Sequence, residues 1–306
     1  MERERREALV REIEGLKRDR GAVILAHNYQ LGEVQDVADM LGDSLELARR
    51  AAETDADVIV FCGVRFMAET AAILSPDRTV LQPVEAAGCP MADMADAEGV
   101  ARLREEHPDA AVVCYVNSTA QVKALSDVCC TSANADRVVR SFPPDREIAF
   151  VPDRHLGGHA ERLTGRRLIR WPGHCPVHVR ILPKDVERAR ELHPGAEVWA
   201  HPECPAEVIE AVDLALSTGG MVRRARETAA PTAVVATEIG LLHRLRKERP
   251  DVVFVPATEQ AICADMKLTR LEDVRDALAE MRFEVSVPEP IRSRAAAAVR
   301  RMLDLG

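Results

Sequence analysis

The hydrophobic positions of the chain form short continuous runs that are separated by amphipathic stretches. Nine runs are rich in Val, Ile, Leu and Ala: AVILAH, DVIVFCG, TVLQP, AAVVCYV, EIAFVP, RLIRWP, EVWAHP, TAVVATE and VVFVPA. Strands that are apolar throughout are typical of parallel sheets with helices on both faces. The pattern therefore predicts an α/β protein.

Both ends of the chain predict helices. Residues 2–20 place four aliphatic side chains on one helical face, and Gly21 ends that pattern. The last sixteen residues, IRSRAAAAVRRMLDLG, have the composition of another helix. We expect these two terminal helices to pack on the outside of the molecule.

The nine apolar runs fall into three groups of three. Each group opens with a strand that ends in polar residues (AHNYQ, CYVNS, WAHPE) and continues through a loop with hydroxyls (LGDSLELA, CCTSANA, LSTGGMV). Each group closes with a strand that is followed by a proline and then a cysteine. These cysteines, Cys89, Cys175 and Cys263, are 86 and 88 residues apart. A regular period of this size indicates a triplicated βαβαβ unit.

We therefore predict three pseudo-symmetric Rossmann-like αβα domains, with parallel sheets packed around a central active site. The domains span 21–105, 106–190 and 191–287, and the terminal helices 1–20 and 288–306 pack outside the first. Ligands of parallel α/β sheets bind beyond the carboxyl ends of the strands. The polar motifs that follow the strands should therefore converge on the common centre.

Composition narrows the class of protein. Of 306 residues 47% are hydrophobic but only 3% are aromatic, so aliphatic side chains must fill the core. The net charge is −9 with both signs interleaved, which argues against binding of nucleic acid. The N-terminus is charged, unlike a signal peptide, and no apolar run approaches the roughly 20 residues that cross a bilayer. We expect a cytoplasmic protein that binds no membrane and keeps its eight cysteines reduced.

The three repeated cysteines predict a metal site. Zinc would add a histidine or water as a fourth ligand, and His174 or His178, which flank Cys175, could supply it. An iron–sulfur cubane with three thiolates would leave one iron open to act as a Lewis acid. Structural zinc sites usually draw on local pairs of ligands, so ligands this far apart fit a cluster at a domain junction better.

Eleven motifs resemble a known family when they are taken in order. They run from Ala22 to Lys267 and are AHNYQ, GDSLELAR, FCGVRFMAETAAILSP, GCPMAD, CYVNSTAQVKA, CCTSANA, FVPDRHLG, WPGHCPVH, HPEC, STGGM and CADMK. Together they resemble the quinolinate synthases, the A proteins of bacterial NAD biosynthesis. Each motif is weak alone, but their number and order make the resemblance specific.

The resemblance implies a transferase that condenses iminoaspartate with dihydroxyacetone phosphate to give quinolinate, phosphate and water. It implies a [4Fe–4S] cluster held by Cys89, Cys175 and Cys263, whose open iron assists dehydration. A functional link to an L-aspartate oxidase or an aspartate dehydrogenase is also expected. The alternatives are another hydro-lyase with an open iron, or a zinc-stabilised α/β protein that binds a phosphorylated ligand.

Four residues at strand ends are predicted to be catalytic. Glu203 is the predicted proton carrier, because enolisation and dehydration need a carboxylate of this kind. The alternative is a carboxylate that stabilises a helix N-terminus. His201 precedes it and could hold a substrate carboxylate or relay a proton. The remaining two are the only tyrosines of the chain, Tyr29 and Tyr115.

Seven polar residues are predicted to bind substrate. Serine and threonine at helix starts can cap the helix, and free N–H groups there can also bind an anion. The STGG turn is the best candidate for a phosphate, because its two glycines permit close approach of the backbone. The seven residues are His27, Ser44, Asn117, Ser132, His178, Ser217 and Thr218.

The other five cysteines are not predicted to bind the metal. Cys62 and Cys114 lie within apolar runs and are expected in the core. Some quinolinate synthases carry extra cysteines around the last ligand. Here Asp265 and Met266 follow Cys263, so the chain cannot form a redox-active cysteine pair at that place.

Overall fold

Three four-stranded sheets organise residues 2–305, the part of the chain that the computed structural model describes. All pairings between neighbouring strands within these sheets are parallel. In chain order the strands of each sheet are arranged 2-1-3-4. This confirms the α/β class with three Rossmann-like units, and the shared strand order agrees with the repeat seen in the sequence.

The first unit follows the N-terminal helix α1 (Glu2–Asp19). Its strands are β1 (Ala22–His27), β2 (Met40–Gly42), β3 (Val58–Cys62) and β4 (Thr79–Leu81). Its helices are α2 (Gly32–Val37), α3 (Ser44–Glu53) and α4 (Arg65–Leu74). Helix α3 begins with a capping box, in which the Asp43 side chain accepts the N–H of Glu46 and the Glu46 side chain accepts that of Asp43.

The second unit begins with helix α5 (Ala97–Glu106). Its strands are β5 (Ala111–Tyr115), β6 (Val128–Cys130), β7 (Ile148–Val151) and β8 (Ile169–Arg170). Its other helices are α6 (Ala120–Ala124), α7 (Ala135–Arg140) and α8 (Arg154–Thr164). Helix α8 ends at Gly165, whose φ of 69° needs the conformational freedom of glycine.

The third unit begins with helix α9 (Pro183–Leu192), which has its proline in the first turn, where no N–H is required. Its strands are β9 (Glu197–Ala200), β10 (Leu214–Ala215), β11 (Thr232–Ala236) and β12 (Val253–Pro256). The remaining helices are α10 (Ala206–Ala211), α11 (Thr218–Glu227), α12 (Leu241–Glu248), α13 (Leu271–Glu280) and α14 (Ile291–Asp304).

One strand in each unit was absent from the predicted βαβαβ pattern. These strands are β2, β6 and β10, and each has only two or three residues. They lie in or directly before the segments that were interpreted as loops with hydroxyls, where so short a run carries no visible periodicity. Each pairs with the first strand of its unit and so brings the next helix start to the carboxyl edge of the sheet.

The central strands form the core. All residues of β3, β5, β6 and β7 are buried, and the aromatic side chains of Phe61, Phe150, Trp199 and Phe254 are at most 2% exposed. Helix α1 packs against α13, whereas α14 packs against α4, α6 and β6, so the terminal helices cover different parts of the molecule. The division at residues 105 and 190 stays a prediction. Within residues 2–305, no helix combines the length and apolarity needed to cross a membrane.

Candidate active site and metal centre

A cavity of about 260 Å³ lies where the carboxyl ends of the three sheets meet. β1 ends at His27, β5 ends at Tyr115, and His201 directly follows β9. Of the fourteen residues predicted for the site, thirteen line the cavity, and Ser217 does not. The strand ends of the three units therefore form one shared pocket.

The three repeated cysteines differ from the other five in exposure. Cys89, Cys175 and Cys263 are half-buried and line the cavity, whereas the remaining cysteines are buried. Cys62 and Cys114, in β3 and β5, are fully buried, as expected of core residues. Only the predicted ligand cysteines thus combine a position at the cavity with incomplete burial.

Each of the three cysteines precedes a short 3-10 turn. The turns are Ala92–Met94, His178–Arg180 and Asp265–Lys267, and they begin two or three residues after the cysteine. Peptide N–H groups in or beside these turns face the sulfurs. The three units therefore present their thiols in the same local conformation.

Burial raises the pKa of each of these thiols. The pKa of Cys89 rises to about 12 and that of Cys263 to about 11, although nearby peptide N–H groups oppose the change. For Cys175, burial and then the charge of Glu203 raise the pKa well above its usual value. The negative charge of Cys89 also raises it, so the thiols are close enough to interact. A bound cation would lower the pKa of the three thiols and so favour the thiolates.

The donor set fits an iron–sulfur cluster with three cysteine ligands. One thiol comes from each unit, and all three line one cavity together with polar side chains such as Asn117, Ser132 and His201. A second set of donors overlaps it. Ligand atoms of Cys175, His178 and Glu203 lie within 4.8 Å of one another and could hold a single metal ion. His174 does not line the cavity, so of the two flanking histidines only His178 can join a site there.

Glu203 is buried at the centre of a hydrogen-bonded network. Its Oε1 accepts the hydroxyl of Tyr115 at 2.5 Å, and its Oε2 lies 2.7 Å from Nδ1 of His178. Burial alone would raise the pKa of this carboxyl, but His178 and the hydrogen bonds from His178 and Tyr115 outweigh it and lower the pKa. Glu203 is therefore ionised at neutral pH and can accept a proton.

The two buried histidines beside this network are neutral at pH 7. Burial lowers the pKa of His27 and that of His201 to about 3, although the charge of Glu203 opposes the change. Nε2 of His201 lies 3.1 Å from the hydroxyl of Ser132, and its ring stacks on that of His178. Neutral imidazoles can donate and accept hydrogen bonds without adding charge to the pocket.

Tyr29 joins the same network through a residue that the sequence did not indicate. Its hydroxyl lies 2.5 Å from the hydroxyl of Thr237, which in turn lies 2.8 Å from Nε2 of His178. Burial raises the pKa of Tyr29 well above its usual value, so the phenol keeps its proton. Thr237 directly follows β11, and its position at a strand end is the signal that could have identified it.

The hydroxyls of the STGG turn are used within the protein. Ser217 caps α11 by accepting the N–H of Gly220, and its hydroxyl donates to Asp43 Oδ2 at 3.3 Å. A Cβ on Gly219 would lie 2.6 Å from the same carboxylate oxygen, so the glycine makes room for Asp43. The turn that was the best phosphate candidate therefore already adjoins an internal anion. Thr218 does line the cavity, and its hydroxyl accepts a hydrogen bond from Asn28.

Asn117 has an unsatisfied polar atom. Its Oδ1 is buried and has no hydrogen-bond partner among residues 2–305. Asn117 lines the cavity, as does Ser44 at the start of α3. A buried acceptor without a partner is costly in an empty pocket, so a ligand with a donor group would be stabilised here.

Four charged residues of the cavity were missed by the sequence analysis. Asp43, Arg180, Glu238 and Asp265 all line it. Arg180 is the only lysine or arginine in the lining, and no carboxylate of residues 2–305 forms an ion pair with it. Its position two residues after His178, on the loop of a predicted ligand, was the available signal.

Comparison with known proteins gives one consistent result. The family described as quinolinate synthetase A protein matches residues 11–304. A protein named quinolinate synthase from Dehalococcoides mccartyi is 54% identical over 298 residues, which cover 97% of this chain and 98% of the relative. A protein of the same name from Thermus thermophilus is 53% identical over 310 residues, which cover 100% of both chains. A protein of the same name from Thermococcus onnurineus is 52% identical, with 98% and 99% covered. The chain therefore belongs to the quinolinate synthetase A protein family.

Proposed function

We propose that the protein condenses iminoaspartate with dihydroxyacetone phosphate to give quinolinate, phosphate and water, as a transferase of NAD biosynthesis. One structural observation supports this reaction in addition to family membership. A half-buried cysteine from each unit and the Glu203 network of hydrogen bonds line the same cavity. The proposed metal ligands and the proposed proton acceptor thus share one pocket, which suits a dehydrating condensation.

A [4Fe–4S] cluster is the proposed cofactor, with Cys89, Cys175 and Cys263 as its ligands. When bound, it would supply an open iron that polarises a substrate oxygen and favours loss of water. His178 contacts both Cys175, at 3.1 Å from Nδ1 to Sγ, and Glu203. His178 therefore connects the metal side of the pocket with the acid–base side.

Glu203 is the proposed general base. Condensation and aromatisation both need protons removed from carbon, and a buried, ionised carboxylate can accept them. The Tyr115 hydroxyl donates to Oε1 of this carboxylate and fixes its orientation. Burial and the charge of Glu203 raise the pKa of Tyr115, so it remains a donor throughout the neutral pH range.

Substrate binding is assigned to polar side chains of the cavity that are not proposed metal ligands. Asn117 offers its unpartnered Oδ1 to a donor of the substrate, such as an imine N–H or a hydroxyl. Ser44 lies in the first turn of α3 and Thr218 in that of α11, so both are close to helix N-terminal N–H groups. His27 and Ser132 also line the pocket and are assigned to substrate binding. The assignment to carboxylates and phosphate rests on the anionic character of both substrates.

The proposal includes a location and a functional partner. Eight free thiols suit the reducing cytoplasm. Iminoaspartate is a reactive imine, so an enzyme that forms it by oxidising aspartate, an L-aspartate oxidase or an aspartate dehydrogenase, is the proposed source of substrate.

The decisive experiment combines metal analysis with product analysis. Protein purified without oxygen should contain about four irons per chain, as one cubane requires, and should form quinolinate from the two substrates. Serine variants of Cys89, Cys175 and Cys263 should lose both iron and product. The Cys62→Ser variant is the control, because that thiol is buried away from the cavity. Quinolinate formation by all three cavity variants would contradict the proposal.

A zinc protein is the second candidate, and the overlapping donors of Cys175, His178 and Glu203 favour it. It would be colourless and hold about one zinc per chain, with water as a fourth ligand. In that case Cys89→Ser would leave the metal in place. Iron in the wild type and its loss from the Cys89 variant would exclude this candidate.

A further inference from the structure

The Cys263 loop is attached to its own unit by a buried carboxylate. Oε1 of Glu238 accepts the peptide N–H of Cys263 at 3.1 Å, and the side chain of Glu238 is fully buried. Lys267 lies 2.9 Å from the same oxygen. Because the carboxylate is both charge-paired and hydrogen-bonded, it can hold the backbone of the loop firmly.

Asp265 extends from this loop to the first unit. Its Oδ1 accepts the peptide N–H of Gly88 at 3.2 Å, and Gly88 directly precedes Cys89. Both Asp265 and Gly88 are half-buried, which limits competition from water. A single side chain thus joins the loops of two cysteines that belong to different units.

The pseudo-symmetry of the units shows why this contact matters. In the second unit the third strand is β7, and Asp153 lies two residues beyond its end. In the third unit the third strand is β11, and Glu238 lies at the same distance beyond it. Both are buried carboxylates. The first unit has the apolar Val64 at this position, beyond β3. The first unit therefore lacks a carboxylate at this position, and Asp265 of the third unit supplies the acceptor for the Cys89 loop.

Asp153 shows a related role in the second unit. It caps α8 by accepting two peptide N–H groups, and its backbone forms a bridge with Gly173, two residues before Cys175. Each ligand loop is thus attached to a strand end or a neighbouring loop at a position occupied by an acidic residue. Only the loop of Cys89 is attached to another unit, through the hydrogen bond from Gly88 to Asp265 of the third unit.

We propose that Asp265 is a positioning residue for the metal centre, which fixes the Cys89 loop against the Cys263 loop through its bond to Gly88. The inference rests on the proposed function, because it concerns loops whose cysteines are assigned to the cluster. Asp265 acts as a hydrogen-bond acceptor here, so asparagine can replace it and alanine cannot.

The test compares Asp265→Ala and Asp265→Asn with the wild type. Asp93→Ala is the matched control, because Asp93 is an exposed acid close to Cys89 that makes no hydrogen bond to Gly88. Iron loss to a chelator is followed through the visible absorbance of anaerobic protein. We expect about tenfold faster loss from Asp265→Ala, and rates within about twofold of the wild type for the other two variants. Equal rates for both alanine variants, or fast loss from Asp265→Asn, would overturn the inference.

Cluster-free protein gives a readout that does not depend on the cofactor. Alkylation of Cys89 by iodoacetamide, measured by mass spectrometry, should be several times faster in Asp265→Ala, while Cys175 serves as an internal reference. Unchanged alkylation of Cys89 would overturn the inference even if iron binding changed. If the wild type binds no iron, the proposed cofactor is wrong, and the alkylation rates alone decide the role of Asp265.

Discussion

The Glu203 carboxylate lies 2.7 Å from Nδ1 of His178, and both side chains are at most 4% exposed. His178 also lies 3.1 Å from Cys175 through the same nitrogen. One imidazole nitrogen is therefore shared between a proposed base and a proposed metal ligand. If a metal ion were bound by the Cys175 thiolate, Nδ1 of His178 would keep only its contact with Glu203.

Replacement of Glu203 by glutamine should remove the base but keep the shape of the pocket. We expect a loss of about 10²- to 10⁴-fold in kcat, which is the usual contribution of a general base. Iron content should stay at the wild-type value, because Glu203 is not a proposed ligand. Steady-state assays together with iron analysis check both points, and a variant with full activity would exclude Glu203 as the base.

Replacement of Tyr115 by phenylalanine should leave Oε1 of Glu203 without its donor. Because Tyr115 stabilises the charged carboxylate, its loss raises the pKa of Glu203. The acidic limb of the pH–rate profile should therefore move to higher pH. Rates measured from pH 7 downwards, over the range in which denaturant titration shows the protein to be folded, measure this shift. Cys114→Ser, at the neighbouring buried residue of β5, is the control, and a limb that moves equally in both variants would contradict the assignment.

Acid should destabilise the folded protein through His27 and His201. Their pKa values are about 3 when folded, against 6.5 for an unperturbed histidine. The unfolded state therefore binds more protons between these values, and stability falls as the pH is lowered through this range. Each histidine should contribute about 2 kcal/mol of loss by pH 5.

Denaturant titrations at pH 7 and pH 5 measure this loss. The His201→Asn variant should show a smaller difference between the two pH values than the wild type. His193→Asn is a suitable comparison, because His193 lies at the end of α9, outside the cavity. If His201→Asn keeps the full pH dependence, the histidine is not neutral in the folded state.

Arg180 should attract anionic substrates to the cavity. It is exposed and is the only lysine or arginine among the lining residues. The Arg180→Gln variant should therefore show a KM raised several-fold with little change in kcat, and a weaker dependence of kcat/KM on salt. Arg11→Gln on α1 removes the same charge at an exposed position outside the cavity. The assignment fails if the two variants have the same KM.

The repeated pattern of the sequence was sufficient to predict the class of fold and the meeting of the strand ends. His27, Tyr115 and His201 reach one cavity because parallel strands all present the same edge. The short strands β2, β6 and β10 could not be predicted, because two or three residues leave no periodic signal. Each is defined only by its pairing with the first strand of its unit, which no local pattern of side chains reveals.

The contacts between units were also beyond sequence reasoning. Asp43 at the STGG turn and Asp265 at Gly88 join segments that are more than 170 residues apart. Local rules assign Ser217 correctly as a helix cap, but they carry no information on which carboxylate adjoins it.

The identical strand order of the three sheets has a consequence for how a functional molecule forms. Each unit supplies one cysteine and one strand end to the cavity, so no single unit and no pair of units contains a complete pocket. A partly folded chain has nothing to protect its thiols or to orient Glu203. Retained metal would thus report that all three units have folded and docked, which makes cofactor content a measure of native folding as well as of chemistry.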